Sequence, residues 1–511
     1  MQRQESFSKP FFYDITLRDG NQSLKKPWSL DEKLFIFDKI ISLGIKAIEL
    51  GFPASSQMDF ECCQTLANKA PEDVLVSVLA RAHKNDIDRA IEAVKTAKKP
   101  RIHTFITLSP FHMEYVLMKK PQDVAQIALD AVEYTKKRLI EENMPVNIEF
   151  SVEHFGDCRE NLDFVIEVLQ KIVEKGATTI NLPNTVERTR PKVFIDMLKK
   201  VKQALPENVI ISVHNHNDLG MATATTVEAF FEGALQLECC LNGLGERAGN
   251  TDFTQVAVAL YNNGIDTGID LEQIYETSLI ISQMSKVKIY EKAPLIGPEA
   301  LAHRSGIHQD GAIKTKDMNF GAYRPIHPSL IGRYDDEKIG FTSQSGKTAI
   351  YDILKALKYP ITIQESVSLT PYAKQLAETK GELTTDEILQ LYFDKICDIK
   401  GAFELISFKP IEKGVFDLFF NFEGERKEVI GKGNGPMDAC LNGLKKLGFE
   451  VNLSHYKQYS LDGDTKGSGA RAMTMISVLD KNNNEIIGRA IDTSTAQANV
   501  KAIFNALNQL Y

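Results

Sequence analysis

No two of the seven cysteines stand in a Cys-x-x-Cys pair; Cys62-Cys63 and Cys239-Cys240 are simply adjacent. That spacing suggests neither a zinc ribbon nor a disulfide framework, and the thiols read as small buried hydrophobes. Long apolar runs are missing as well. No stretch of about 18 apolar residues occurs, so no membrane span is expected. Met1-Gln2-Arg3-Gln4-Glu5-Ser6 lacks the apolar segment of a signal peptide, and the expectation is a soluble, cytoplasmic protein. Positive charge is not in excess: 60 Lys and Arg face 68 Asp and Glu, formally −8. This disfavours a nucleic-acid binder and leaves room for anionic substrates held by a few local Arg and His. Neither a P-loop nor a dinucleotide fingerprint is present, and Gly245-Glu246-Arg247-Ala248-Gly249-Asn250 is not one. Nucleotide hydrolysis and hydride transfer are thereby disfavoured.

What is there is a chain of 511 residues, 43% hydrophobic and 25% charged, ordinary for a globular protein and long enough for about two to four domains. Eight β-rich runs alternate with helical patterns between residue 11 and residue 263: Phe11–Leu17, Lys46–Gly51, Val74–Ala80, Ile102–Leu108, Val146–Glu153, Thr178–Leu182, Val209–His214 and Glu238–Asn242. The first intervening segment is representative. Ser29 and Glu32 form a capping box, Leu34, Phe37 and Ile41 recur at helical spacing, and Gly44 stops the helix. Eight such units predict a closed (β/α)8 barrel over residues 1–285, with an open doubly wound sheet as the alternative. Residues 286–395 read as helical linker subdomains. Residues 396–511 read as an α+β module, with hairpin-like runs at Leu405–Pro410, Val415–Glu423 and Glu428–Gly431, a helix near Met437–Leu447, strands at Val451–Gln458, Arg471–Leu479 and Glu485–Ile491, a Gly-rich loop at 463–469 and a final helix from Ser494. On the residues alone that module either binds a small regulator or only dimerises.

A parallel barrel places its chemistry at the C-terminal ends of its strands, and polar groups collect there. His214-Asn215-His216 ends the seventh run; two His at i and i+2 of a strand point to one side and can share a divalent ion, or are polar strand-end residues without one. Asp19, in Thr16-Leu17-Arg18-Asp19-Gly20, completes a two-His-one-carboxylate set with open positions, or is merely a partner of Arg18. Arg18 can neutralise an oxyanion or clamp a carboxylate. Glu153 is a candidate acid or base, or a group that orients a ligand. His103, Arg81-Ala82-His83 and Ser109-Pro110-Phe111-His112 fall at the ends of neighbouring runs.

Asp14-Ile15-Thr16-Leu17-Arg18-Asp19-Gly20, His214-Asn215-His216-Asn217-Asp218-Leu219-Gly220 and Gly245-Glu246-Arg247-Ala248-Gly249-Asn250 resemble the signatures of the DRE-TIM metallolyases. Ser305-Gly306-Ile307-His308-Gln309-Asp310-Gly311, Ser343-Gln344-Ser345-Gly346-Lys347 and the C-terminal module extend the likeness, nearly end to end, to the members that condense acetyl-CoA with a 2-oxo acid. The resemblance implies a divalent metal ion (Mg, Mn or Zn) held by Asp19, His214 and His216 with Asn250 nearby, and an activating monovalent cation. It implies 2-oxo-acid contacts from His103, Ser151, Thr185 and Glu246, and catalytic roles for Arg18, Glu153, His308 and Tyr334, the last displaced by one residue from the family's register. It also implies that acetyl-CoA and 2-oxoisovalerate are the substrates of the first step of leucine biosynthesis, in a homodimer in which His308 completes the site. Leucine is the implied inhibitor, at turns containing Gly433 and Gly435 and, second, Gly488 and Asp492. Pyruvate or 2-oxoglutarate as the acceptor, a retro-aldol lyase, or a non-catalytic metal- or amino-acid-binding regulator are the competing readings; side chains near Leu79 and the fourth run are expected to decide the acceptor.

Overall fold

The computed structural model describes residues 9–334, 338–461, 469–479 and 484–511. Residues 463–468 of the expected Gly-rich loop and the Met1–Ser6 terminus lie outside the described residues. The chain divides into two compact units, residues 1–301 with 325–336, and residues 302–324 with 337–511. Three successive stretches were expected. The difference at 325–336 has a local cause: the buried Arg333 guanidinium donates to the carbonyls of Leu295 at 3.1 Å and Gly297 at 2.9 Å, tying that segment to the barrel unit.

The first unit is a closed barrel of eight parallel strands in sequence order. The strands are β1 (Phe11–Asp14), β2 (Ala47–Glu49), β3 (Leu75–Arg81), β4 (Lys99–Thr107), β5 (Ile148–Glu153), β6 (Thr179–Asn184), β7 (Ile210–Asn215) and β8 (Gln236–Cys239). β1 closes the barrel on β8, with Asp14 opposite Cys239. The helices between them include α1 (Leu30–Ser42), α2 (Gln57–Lys69), α3 (Lys84–Val94), the short α4 (Pro110–Tyr115), α5 (Pro121–Glu141), α6 (Leu162–Lys175), α7 (Pro191–Ala204), α8 (Ala222–Phe231) and α9 (Phe253–Asn262), followed by α10 (Ile274–Ser285). α1 shows why: Ser29 and Glu32 satisfy each other's backbone N–H groups as a reciprocal box, and Gly44, at φ +90°, supplies the left-handed turn after it. Its buried stripe is centred on Lys33, Phe37 and Ile40, one residue off the expected line of Leu34 and Ile41, which are half-buried. Lys33 faces inward because Asp59 pairs with it at 2.6 Å.

Two strand ends differ from expectation in a way that matters. The first strand stops at Asp14, and Thr16–Gly20 form a π-helical turn. The Asp14 carboxylate accepts from Thr16 N at 2.9 Å and Thr16 Oγ1 at 3.0 Å, offering the backbone an alternative to the ladder. Such π-turns recur at functional sites, and this one carries Arg18 and Asp19. β7 ends at Asn215, so His216 lies one residue past the strand, in an isolated bridge with Asn250.

The second unit contains α11 (Gly306–Lys314), α12 (Lys347–Ala356), α13 (Ile363–Lys380) and α14 (Thr385–Tyr392), packed around Phe341, Ile350, Leu354, Leu369 and Tyr392. A short parallel pair, β9 (Ala302–His303) and β10 (Lys338–Ile339), lies near α11 in sequence. Two antiparallel three-stranded sheets follow: β11 (Phe403–Glu412), β12 (Val415–Phe422), β13 (Glu425–Lys432), then β14 (Leu453–Ser460), β15 (Ala472–Leu479), β16 (Glu485–Asp492). Each sheet is followed by a helix, α15 (Pro436–Lys446) and α16 (Thr495–Leu510), and both halves share one core that includes Phe420, Leu444, Ile476 and Phe504. Among the described residues no helix is long and apolar enough to cross a membrane.

Candidate metal centre and acceptor pocket

β7 and the π-turn bring Asp19, His214 and His216 together, one ligand atom of each lying within 4.8 Å of the others. The two Nε2 atoms face each other at 3.2 Å, and Asp19 Oδ2 is 4.0 Å from His214 Nε2. Glu238, on β8, engages Nδ1 of His214 at 2.8 Å, so a carboxylate there leaves the Nε2 lone pair aimed at the shared space. Asn250 donates its amide to Asp19 Oδ1 at 2.8 Å, and its own buried Oδ1 has no hydrogen-bond partner among the described residues. Burial holds His214 down to about 4 and His216 down to about 3, against the pull of Asp19. Burial works against ionisation of Asp19, but Arg18 and the two histidines overcome it and hold its carboxyl well below the usual range. Two neutral imidazoles, an ionised carboxylate and an orphaned amide oxygen fit a divalent metal ion.

Beneath this set the barrel interior is unusually polar. Glu49, Glu149 and Glu238 are all at most 1% exposed. Arg18 donates Nε to Glu49 at 2.5 Å and Nη1 to Asp19 at 2.5 Å, which fixes its guanidinium beside the ion-binding atoms. The other Glu49 oxygen meets His103 Nδ1 at 2.7 Å, and His103 Nε2 meets Ser151 Oγ at 2.7 Å. Burial opposes ionisation of Glu49, but Arg18 and His103 bring its carboxyl down to about 2. Burial also opposes a charge on His103, yet Glu149 and Glu49 outweigh it and raise the ring to about 9. Burial pushes Glu149 up to about 7.

Above the interior opens a cavity of about 300 Å³. Arg18, Asp19, His214 and His216 line its floor, with His103, Ser151, Glu153, Thr185 and Glu246 around it and an apolar wall of Phe52, Leu79, Phe105 and Pro183. Burial raises Glu153 above the ordinary carboxylate value, His154 opposing it. Thr185 Oγ1 accepts from His154 N at 2.9 Å, and Arg247 bridges Asp218 (2.8 and 2.9 Å) and the Thr185 carbonyl (2.6 Å), bracing the rim.

Not every residue singled out in the sequence joins this set. The exposed Tyr334 hydroxyl pairs with Glu272 instead, because Gly332 and Arg333 seat this segment against the barrel's outer elements. Arg81 pairs with Asp86 at 2.6 Å and lies outside the pocket lining. His308 belongs to the second unit, where its ring stacks on Tyr323 with centroids 4.0 Å apart. Gly433 and Gly435 precede α15, but Gly488 lies inside β16, where α16 packs closely over it, and not in a turn. Asp492 accepts from Ser494 N at 2.8 Å and pairs with Lys501 at 2.7 Å. Glu49, Glu238 and Asn181, whose amide donates to Ser151 Oγ at 2.8 Å, were not singled out in the sequence, and Glu149 was read only as part of the fifth run; a Glu inside an apolar run such as Ala47-Ile48-Glu49-Leu50 is the signal that marks the three carboxylates.

An eight-stranded parallel barrel with two histidines and an aspartate converging over its strand ends defines a metal-binding enzyme barrel, and residues 9–281 match the HMGL-like family model. Residues 300–355 match the alpha-isopropylmalate synthase post-catalytic domain-like model, and residues 384–511 the LeuA allosteric (dimerisation) domain. The chain is 49% identical over 381 residues to 2-isopropylmalate synthase 2 of Leptospira interrogans serogroup Icterohaemorrhagiae serovar Lai, covering 74% of this chain and 88% of that one. It is 34% identical to the 2-isopropylmalate synthases of Nitratidesulfovibrio vulgaris, covering 98% of this chain and 96% of the relative, and of Pyrococcus furiosus, covering 98% of each. The chain belongs to the 2-isopropylmalate synthase family.

Proposed function

We propose that the chain condenses acetyl-CoA with 2-oxoisovalerate and hydrolyses the thioester formed, releasing 2-isopropylmalate and CoA, and that leucine inhibits it through the C-terminal module. Membership of the family along 98% of the chain supports the reaction. The observation that carries the acceptor is the apolar wall of Leu79, Phe105 and Pro183 facing Arg18, Asp19 and the histidines in one cavity, which suits a branched aliphatic 2-oxo acid whose polar end turns to the floor.

In this reading a divalent ion held by Asp19, His214 and His216, with Asn250 beside them, supplies Lewis-acid polarisation of the 2-oxo carbonyl. The chain's own residues do the rest. Ser151, Thr185 and Glu246 hold the acceptor, with His103 fixed between Glu49 and Ser151. Glu153, raised by burial and lining the cavity, is the base that takes a proton from the acetyl methyl. The new carbon–carbon bond forms between that methyl carbon and the 2-oxo carbonyl carbon, and Arg18 stands where the carbonyl oxygen gains negative charge. Water then cleaves the thioester, CoA leaves as the thiol, and the reaction is drawn forward. His308 is a further acid–base group in this scheme, within a homodimer.

CoA release from acetyl-CoA with 2-oxoisovalerate, pyruvate and 2-oxoglutarate tests it. Release greatest with 2-oxoisovalerate, and suppressed by leucine, is expected. Preference for pyruvate would make the chain a citramalate synthase, and no release with any acceptor would leave a non-catalytic binding protein.

A further inference from the structure

We propose that His112, His154 and Asp157 form a second binding site for a divalent transition-metal ion, sharing no residue with the Asp19–His214–His216 set. One ligand atom from each of the three lies within 4.8 Å of the others. His112 comes from α4 after β4, His154 is the residue immediately following β5, and Asp157 lies in the turn beyond it. Neighbouring loops of the barrel rim thus supply all three groups.

His154 is the anchor. It is 8% exposed, and its Nδ1 stands 3.4 Å from Asp157 Oδ2 with no well-aligned hydrogen bond among the described residues. The ring nitrogen thus faces the carboxylate at a length that leaves its hydrogen-bonding capacity poorly used. Arg188 donates to Asp157 Oδ2 at 2.9 Å, which holds the carboxylate in place and ionised. His112 stacks on His154 with ring centroids 3.6 Å apart and planes 22° apart, and its Nδ1 is 3.4 Å from Ser109 Oγ. Stacked rings cannot both aim lone pairs at one ion, so His112 must swing aside to ligate. It is only half-buried and can do so. Metal–nitrogen bonds of about 2.0–2.1 Å put ligand atoms roughly 3.3 Å apart, close to the 3.4 Å that already separates His154 Nδ1 from Asp157 Oδ2. Two imidazoles with one carboxylate suit zinc, cobalt, nickel or copper, with water completing the shell. The site adjoins the acceptor pocket: Glu153 precedes His154 in the chain, and the His154 N–H holds Thr185. An ion there clamps that part of the rim.

The test is cobalt uptake by the untagged full-length chain, read as metal content and as the visible absorption of bound Co²⁺ after dialysis. Wild type is expected to hold about two ions per chain, and His112→Ala and His154→Gln about one each. The half-buried His112 can be replaced without disturbing the fold, which circular dichroism verifies. Asp19→Asn separately removes the barrel ion; if it does not, the metal assignment under the proposed function fails while this one stands. A His112→Ala chain that keeps both ions, or a wild type whose single ion vanishes in Asp19→Asn, overturns the second site.

Discussion

Glu238 and His214 meet at 2.8 Å through the imidazole Nδ1, and that contact decides which ring nitrogen faces the pocket. A carboxylate only accepts, so it selects the tautomer with Nε2 bare and fixes the ring's orientation. Glu238 is therefore a positioning residue. Glu238→Ala is expected to weaken metal affinity by about 10–100-fold, with Glu238→Gln, which still offers an acceptor oxygen, recovering much of the loss. Metal titrations show this as a raised half-saturation concentration, with turnover at saturating metal changed less. Equal affinities in wild type and Glu238→Ala would rule the role out.

Asp19 faces both Arg18 and the two histidines, so its charge serves two neighbours at once. Asp19→Asn keeps the size and the contact with Asn250 but removes the negative charge. CoA release is expected to fall by roughly 100-fold or more, while the melting temperature changes little. In the wild type, chelation should abolish release and added Mg²⁺, Mn²⁺ or Zn²⁺ should restore it. Release that survives both treatments would remove the metal from the mechanism.

The barrel was legible because eight β-rich runs alternate with helices, and a period of that kind survives errors at its edges. Arg18, Asp19, His214 and His216 were legible as a set because strand-end placement is set by topology. Their exact backbone was not: the competition between Asp14 and Thr16 for the backbone ends β1 early, and no periodicity signals it. Glu49, Glu149 and Glu238 stayed hidden as a network because their partners are brought beside them only by long-range strand pairing: Arg18 and His103 for Glu49, Arg101 for Glu149 and His214 for Glu238. The position of Tyr334 was not legible because a motif gives neighbours in sequence, whereas Arg333 and Glu272 decide where that segment lies.

His103 gives the stability a pH dependence of known sign. Glu149 and Glu49 raise it from 6.5 to about 9 in the fold. A raised pKa contributes stability that is fully present below the unfolded value and is lost as pH climbs through the folded one, because the folded chain then binds more protons than the unfolded. The window is therefore pH 6.5 to 9. Glu149, raised to about 7, titrates across the lower edge of that window and acts with the same sign. Between about pH 7 and 9 the wild type should lose on the order of 1–3 kcal/mol that His103→Asn does not. Thermal melts across that range check it; parallel curves would show that His103 is neutral in the fold.

Gly488 tests whether the C-terminal module depends on one close helix–strand approach. A Cβ built there lies 2.7 Å from Ala506 Cβ and also runs into the Ala502 carbonyl, both on α16. Because the carbonyl is backbone, it cannot rotate out of the way; the helix must lift from β16. The same relationship holds in the first half, where a Cβ on Gly431 of β13 would meet the Ala439 carbonyl of α15. Gly488→Val should cost about 1–3 kcal/mol from overpacking and lower the melting temperature of the second unit. CoA release without leucine should stay near wild type, since none of the residues lining the cavity over Arg18, Asp19, His214 and His216 lies in that module. Leucine inhibition, if the module carries it, should weaken in parallel. A variant as stable as wild type would mean that α16 yields at no cost and that the glycine is incidental.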